Sequence, residues 1–435
     1  PGVIFCGHEI EGRIPPALPR PVTRRRRPRA GGSAAVIRRP VEGTISGSSN
    51  WDGVVEMNES IDDFYGAEAL ARVRGDNGLA SRPPTVAYRD TDYLTFEYDR
   101  WLSRTWLFVG RAHELPNPGD AKPVPGHAYF LIRNGDGAIN CFHNVCRHRG
   151  HELIAGPCHN KDTVVCPYHA WTYDLDGRLI IAPHFGGHRK HTADGFDPAE
   201  YGLVPVRCAQ WHDWLFINID GAAGPLADFV APLAAKFADV DFGRLDHYLT
   251  IDVGRIPANW KVCVENTMEP YHVPVVHKES AAGQPLALHY MVADGPVMGC
   301  AIDIEGSDYT NAPGDNALDN LDMSARYLLR APNFFLTSYA PDKMIDTMIV
   351  PDARDPAVCW LQNAWYTTSG ATLSEAEVEQ WRVLEERVAA EDIGVMAAVQ
   401  QGMASPVADD GGVLSPAYES CLTAFYANML EALER

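Results

Sequence analysis

Four residues in two short segments have the types and spacing to hold metal. FHNVCRHRGHE sets Cys146 and His148 one residue apart, VVCPYHAWTYDLDG sets Cys166 and His169 two apart, and seventeen residues separate the pairs. Two thiolates and two imidazoles on paired loops can take one tetrahedral zinc, or a [2Fe-2S] cluster with Cys146 and Cys166 on one iron and His148 and His169 on the other. Zinc ribbons prefer CxxC knuckles, so CxH with CxxH, each followed by small or aromatic residues and a glycine-bearing turn, points towards the cluster. His143 and His151 flank the motif and read as loop histidines.

A second group lies in VENTMEPYHVPVVH, which places Glu269, His272 and His277 within nine residues. The histidines are five positions apart, and at about 3.6 residues per turn an unbroken helix would not align them on one face. The spacing predicts one imidazole from a helix and the other from the turn leaving it. Joined by one distant carboxylate, such a pair makes the facial triad of an Fe(II) oxygenase, with coordination positions left for O2.

Elements must hold these groups in place. From Trp106 to Phe216 short apolar runs alternate with NPGD, NGDG and DLDG turns, the pattern of hairpins, so the first group belongs to a β domain. Beyond Gly221 the pattern is mixed. Helical spacing marks Ala222 to Val240 and Leu373 to Gln401, and the runs MIDTMIVP and CWLQNAWYT read as strands, which together make an α+β domain. A short leading helix is expected from Ser60 to Arg74, interrupted by SRPP at Ser81.

The 435 residues leave room for about two to three domains of roughly 150 residues. With 46% hydrophobic and 22% charged residues, disorder can only be local. The formal charge of −20 repels phosphate backbones and anionic lipids, which argues against nucleic-acid and membrane partners. The longest apolar stretch, Ala222 to Val240, is broken by Asp228, Lys236 and Asp239, so no bilayer span is expected. Ten cysteines suggest no disulfide framework and fit thiols and metal ligands in a cytoplasmic setting. Residues 1–56 stand apart: nine Arg, no Lys and five acids give +4, so the remainder carries −24. Rich in Arg, Pro, Gly and Ser, this stretch reads as a basic disordered leader ahead of a native start at Met57, the first methionine.

With CRHRG and CPYHAW in place, the chain from about Tyr93 onward resembles the Rieske non-haem iron oxygenases, the catalytic α subunits of ring-hydroxylating and related enzymes. Respiratory Rieske proteins carry an extra cysteine in each loop; here those positions hold His151 and Tyr168, which favours the oxygenase branch. The resemblance implies an α+β architecture: an N-terminal Rieske [2Fe-2S] β-sandwich domain at 101–220, preceded by a helical segment at 57–100, and a C-terminal helix-grip catalytic domain at 221–435. It implies mononuclear Fe(II) on His272, His277 and an acid in AAEDIGVMAAVQQGMAS, for which Asp392 is chosen over Glu391. It also implies that Glu269 bridges His272 to the partner subunit's His169, in a homotrimer with inter-subunit electron transfer, and that Asn266 supports the site. Most of the family carries Asp at the bridging position; Glu269 resembles the carnitine and betaine oxygenase branch, which favours α subunits alone.

The activity implied is oxygenation with O2 and electrons from a separate NAD(P)H-dependent reductase or ferredoxin. Two outcomes share the ligand set: hydroxylation of a C–H beside nitrogen or oxygen, followed by loss of the methyl group or cleavage of the bond, or mono- or dihydroxylation of an aromatic ring. A quaternary amine would want an aromatic cage and a carboxylate. Tyr290, Phe334, Phe335, Trp365 and Tyr366 lie in the region expected to line the pocket, and none is assigned. A Rieske electron-transfer module is the remaining alternative, and the 214 residues after Gly221 argue against it.

Overall fold

The computed structural model describes residues 59–76, 78–278, 280, 285–303, 325–339, 343–368, 370 and 373–435; the leader expected at 1–56 lies outside them. The leading helix, Ile61–Arg74, starts where Ser60 and Asp63 form a capping box. Gly66, at φ 72°, breaks its helical geometry, and Gly75, at φ 74°, ends it in the left-handed conformation that a residue without Cβ adopts freely. The helix packs against the C-terminal helix Ser420–Leu433: Tyr93 stacks on Tyr65 and reaches Met429. Behind it a fully buried Lys261–Glu97 pair closes at 2.8 Å, its charges compensating one another out of water.

The hairpin pattern folds into two antiparallel sheets. The six-stranded sheet runs Leu107–Arg111, Trp214–Asn218, Pro205–Trp211, Ile139–His143, Tyr129–Arg133, Ala121–Pro123 in spatial order. The smaller sheet is Val164–Val165, Thr172–Tyr173, Leu179–Ile181. The core around Phe130, Phe142, Trp171 and Tyr173 includes both motif cysteines, so the loops that carry them rest on packed side chains. His143 ends a strand and meets Tyr129 edge-on, a correction to its reading as a loop residue.

The second half forms a seven-stranded antiparallel sheet. Its strands run Asp246–Ile256, Cys359–Thr367, Lys343–Pro351, Phe334–Tyr339, Ala325–Arg330, Val297–Ile302, His289–Asp294. The last six in chain order form a meander, and Asp246–Ile256 pairs outside Cys359–Thr367. Because side chains alternate along a strand, each strand here serves two masters. Met344, Met348, Ala364 and Tyr366 face the first domain and pack with Trp106, Phe108, Trp214 and Phe216. Ile345 and Trp365 face the other way, onto Trp381 and Leu384 of the 28-residue helix Glu375–Gly402.

One buried polar cluster pins the two halves. Arg111 Nε donates to both oxygens of Asp346 at 3.0 and 2.9 Å, and Trp214 Nε1 and Tyr366 Oη donate to the same carboxylate at 2.7 and 2.9 Å. Arg111 and Asp346 are both fully buried, so deleting one partner would strand the other's charge, at a cost of about 3–5 kcal/mol. Among the described residues no helix is long and apolar enough to cross a membrane.

Candidate metal centres and the cavity beside them

The two motif loops are built alike. In each, the backbone N–H four residues after the cysteine returns to the cysteine carbonyl: Gly150 to Cys146 and Ala170 to Cys166, both at 3.0 Å. Gly150 and Ala170 both take positive φ, 74° and 56°, which turns the chain so that Sγ accepts N–H bonds from the residues two and three positions on. The cysteines are buried, whereas His148 is half-buried and His169 exposed. The two imidazoles meet edge to face at 4.7 Å between ring centroids, and Trp171 stacks on His148 at 4.8 Å.

The two sulfurs share a hydrogen bond that favours a thiolate at Cys146 and holds the Cys166 thiol up. Hydrogen bonding from Cys166, opposed by burial and joined by the Tyr173 hydroxyl and two backbone N–H groups, holds the Cys146 thiol down at about 5. Tyr173 Oη lies 3.3 Å from Cys146 Sγ and itself accepts from the Arg147 N–H at 3.1 Å. Two buried sulfurs on one side and two accessible imidazoles on the other suit a two-iron cluster with unlike ends. A single zinc would need all four to converge. Among the described residues, the group of three or more close enough to share one ion is His272, His277 and Asp392 instead.

These three come from a loop and a helix. His272 and His277 bracket a one-turn helix, Val273–Val276, one at each end, so neither is inside a helix as the spacing predicted; the single turn brings rings five positions apart face to edge at 5.2 Å. Asp392 arrives from Glu375–Gly402, and its Oδ1 lies 3.2 Å from His277 Nε2 and 3.7 Å from His272 Nε2. All three ligand atoms fall within 4.8 Å of one another.

The outer ring nitrogens are held by carboxylates. His272 Nδ1 donates to Glu269 Oε1 at 2.6 Å, and Glu269 Oε2 accepts the backbone N–H of Tyr271 and His272. His277 Nδ1 donates to Glu391 Oε2 at 2.8 Å, and Ser280 Oγ donates to the same oxygen at 2.6 Å. With each Nδ1 proton engaged, each Nε2 presents a lone pair inward. Burial alone would lower His277, but Asp392 and Glu391 outweigh it and hold the imidazole above its ordinary value. Asp392 Oδ1 is buried and makes no hydrogen bond. An orphaned carboxylate oxygen aimed at two lone pairs is costly without a cation between them, so two imidazoles and one carboxylate fit a ferrous ion with open positions.

A cavity of about 160 Å³ opens beside this triad. Asn266 and Glu269 line it, as do Glu385, Asn363 and Tyr327. Tyr290, Phe334, Phe335, Trp365 and Tyr366, none of them assigned to a cage, do not line it. Phe334 and Tyr366 are spent in the core between the sheets, and Trp365 packs under the long helix. Cys146, His148, Cys166 and His169 do not line the cavity either, so the two candidate centres are separate sites.

Glu391, weighed above as a ligand, instead orients His277; neighbouring helix positions point about 100° apart, so Glu391 meets the outer Nδ1 of His277 while Asp392 faces the inward Nε2 atoms. Ser280, Tyr173 and Glu385 were missed. A period signal for Glu385 exists: it stands seven residues before Asp392, two turns along the same face.

The sequence matches the Rieske [2Fe-2S] domain over residues 105–192 and the ring hydroxylating alpha subunit (catalytic domain) over 239–435. It is 27% identical to the chloroplastic choline monooxygenase of Amaranthus tricolor over 353 residues, 79% of this chain and 76% of that protein. It is 34% identical to the carnitine monooxygenase oxygenase subunit of Acinetobacter baumannii over 197 residues, 45% of this chain and about half, 52%, of that protein. In fold it is similar to a quaternary ammonium Rieske monooxygenase in complex with gamma-butyrobetaine, with TM-score 0.66, 22% identity and coverage of 84% and 97% of the two chains. It is also similar to naphthalene 1,2-dioxygenase, with TM-score 0.63, 19% identity and coverage of 82% and 92%.

Proposed function

From the premise that this chain belongs to the Rieske non-haem iron oxygenases, as a catalytic α subunit, we propose that it hydroxylates a C–H beside nitrogen in a quaternary or methylated amine, with loss of the methyl group. The oxidoreductase class and its two cofactors, a Rieske [2Fe-2S] cluster and mononuclear iron, follow from the two domain matches. The observation that carries the reading is the pairing of the orphaned Asp392 Oδ1 and two inward Nε2 atoms with a cavity at their side. For substrate, the choline and carnitine monooxygenases among its relatives support an amine.

In this reading Cys146, His148, Cys166 and His169 hold the cluster, and His272, His277 and Asp392 hold the iron. When bound, the cluster supplies single electrons and the iron supplies O2 activation. The chain does the rest. Glu269 and Glu391 fix the two imidazoles in the Nδ1–H form, the cavity wall holds the substrate's reacting carbon next to the triad, and the apolar lining from Val388 and Met396 limits water. Electrons come from a separate NAD(P)H-dependent reductase or ferredoxin. By the resemblance, the electron path runs between subunits, from His169 of the partner subunit through Glu269 to His272, in a homotrimer acting in the cytoplasm; the exposure of His169 in this chain supports that reading.

The test is amine-dependent turnover of the holoprotein with a surrogate reductase. Choline, carnitine and gamma-butyrobetaine are offered beside benzoate and naphthalene, and O2 uptake is read together with formaldehyde or aldehyde product. Turnover with an amine alone is expected. Turnover with a ring substrate alone would move the chain to the aromatic ring-hydroxylating branch, whose ligand set is the same.

The role of Glu391 carries its own expected result. Glu391→Ala leaves Asp392 in place but frees the His277 ring, and the iron is then held about 10–100-fold more weakly in a competitive chelator titration. An unchanged affinity would mean that packing alone orients His277.

A further inference from the structure

If the substrate is a cation, something in the cavity must recognise its charge, and among the described residues Tyr327 is the one Phe, Tyr or Trp on the lining, which is too few for an aromatic cage. Among the polar groups of the lining, Glu385 and Asn363 stand out. Glu385 is half-buried by its accessible surface yet densely surrounded by protein, as a side chain facing an internal cavity is. Among the described residues its carboxyl has no hydrogen bond or ion pair. The side-chain oxygen of Asn363, on the strand that pairs Asn363 with Thr347, is buried and also has no hydrogen-bond partner. The buried Asn363 oxygen is costly unless a ligand meets it, and Glu385 places an unpaired carboxyl on the lining of the same cavity.

A trimethylammonium head has no N–H to donate. It is attracted by charge and through its polarised C–H groups, which approach oxygen atoms. A carboxylate with an amide oxygen therefore suits it, while neither would favour a neutral ring. We propose that Glu385 and Asn363 form the cation subsite of this cavity, with Glu385 as the residue that selects a quaternary ammonium over an uncharged group of the same shape.

The electrostatics agree with the geometry. Burial pushes Glu385 up to about 8, with Asp392 adding to the shift and His277 opposing it. Without a bound cation the neutral acid is favoured near pH 7, and a cation draws off the proton and compensates the carboxylate. The placement also orders the substrate: Glu385 lies two helical turns from Asp392, so a head group drawn to Glu385 brings its methyl carbons towards the triad on the same helix face.

This inference rests on the amine reading, and the experiment separates the two. Choline and gamma-butyrobetaine are each compared with the neutral carbon isostere, 3,3-dimethylbutan-1-ol and 5,5-dimethylhexanoate, on wild-type holoprotein and on Glu385→Gln and Glu385→Asp. The readouts are kcat, KM and iron content. The wild type is expected to prefer the cation by at least about 30-fold in kcat/KM, the lower end of what truncating one partner of a buried charge pair costs. Glu385→Gln brings that preference to within about threefold through KM, with kcat and iron little changed, and Glu385→Asp retains most of it. A wild type that turns over no amine overturns the functional reading and this subsite with it. A wild type that turns over the amine but accepts the isostere equally overturns the subsite alone, as does a Glu385→Gln variant that keeps full discrimination. Loss of iron in Glu385→Gln with discrimination intact also overturns it, by assigning the carboxyl to the iron's surroundings.

Discussion

Asp392→Ala leaves the iron–sulfur chromophore of this chain intact and removes its mononuclear iron, and turnover falls by about a thousandfold or more, roughly 4 kcal/mol of lost transition-state stabilisation. The size follows from the geometry. Asp392 is the carboxylate that approaches both His272 and His277 Nε2, and without it two neutral imidazoles face the cavity with no negative charge to hold a divalent ion. The stability effect is small by comparison. In the metal-free protein Asp392 Oδ1 is buried without a hydrogen bond and its charge raises Glu385, but it also lies 3.2 Å from His277 Nε2 and attracts that imidazole, so its removal relieves two costs and forfeits one attraction. Metal-free Asp392→Ala is therefore expected to melt close to the metal-free parent, while iron raises the melting temperature of the parent alone. Differential scanning calorimetry with iron analysis reads both. A variant that keeps its iron would put the third ligand elsewhere.

Glu269→Gln separates two loaded centres without emptying either. The side chain keeps its size, and the amide oxygen can still accept from His272 Nδ1, now at 2.6 Å from a carboxylate oxygen. What changes is the other end. A carboxylate accepts at both oxygens, whereas an amide places an NH2 against the backbone N–H of Tyr271 and His272 and, in the proposed trimer, against the partner's imidazole N–H, and two donors cannot bond. Iron and cluster contents stay at parental values, while cluster oxidation under single-turnover conditions slows by about a hundredfold or more. Stopped-flow absorbance of the reduced cluster mixed with O2 and amine measures this. Parental rates in Glu269→Gln would exclude the carboxylate as the electron path and leave it as a support for His272 only.

The parts of this protein legible in sequence are those whose chemistry is compressed into a few residues. CxH and CxxH work because each loop closes on itself through hydrogen bonds within five residues, so spacing alone carries the geometry. The same holds for His272 and His277, although the helix between them was misplaced: a four-residue helix is too short for a periodic signal. The long helix and the strands at 343–351 and 359–367 were legible from their periods, as were their approximate ends.

Three-dimensional convergence was not legible. Glu391 and Asp392 are adjacent in sequence and differ in role only because one points at Nδ1 and the other at Nε2 of His277. The aromatic residues near the cavity could not be assigned because alternation decides which side each strand residue faces. Trp365 and Tyr366 sit side by side and face opposite layers. The cavity wall on the long helix was within reach, since Glu385, Val388, Ala389, Asp392 and Met396 follow the three- and four-residue steps of one helix face. The buried Arg111–Asp346 link joins residues 235 apart, a distance over which no local pattern speaks.

The most direct measurement of the central claim is a single turnover of chemically reduced holoprotein under labelled O2 with a methylated amine and an aromatic acid present together. Mass spectrometry reads the products without need of the native reductase. The account predicts a demethylated or cleaved amine whose oxygenated product, formaldehyde or the aldehyde of the departing chain, carries one labelled atom, and no ring product. A ring product carrying both labelled atoms, with the amine untouched, would contradict it.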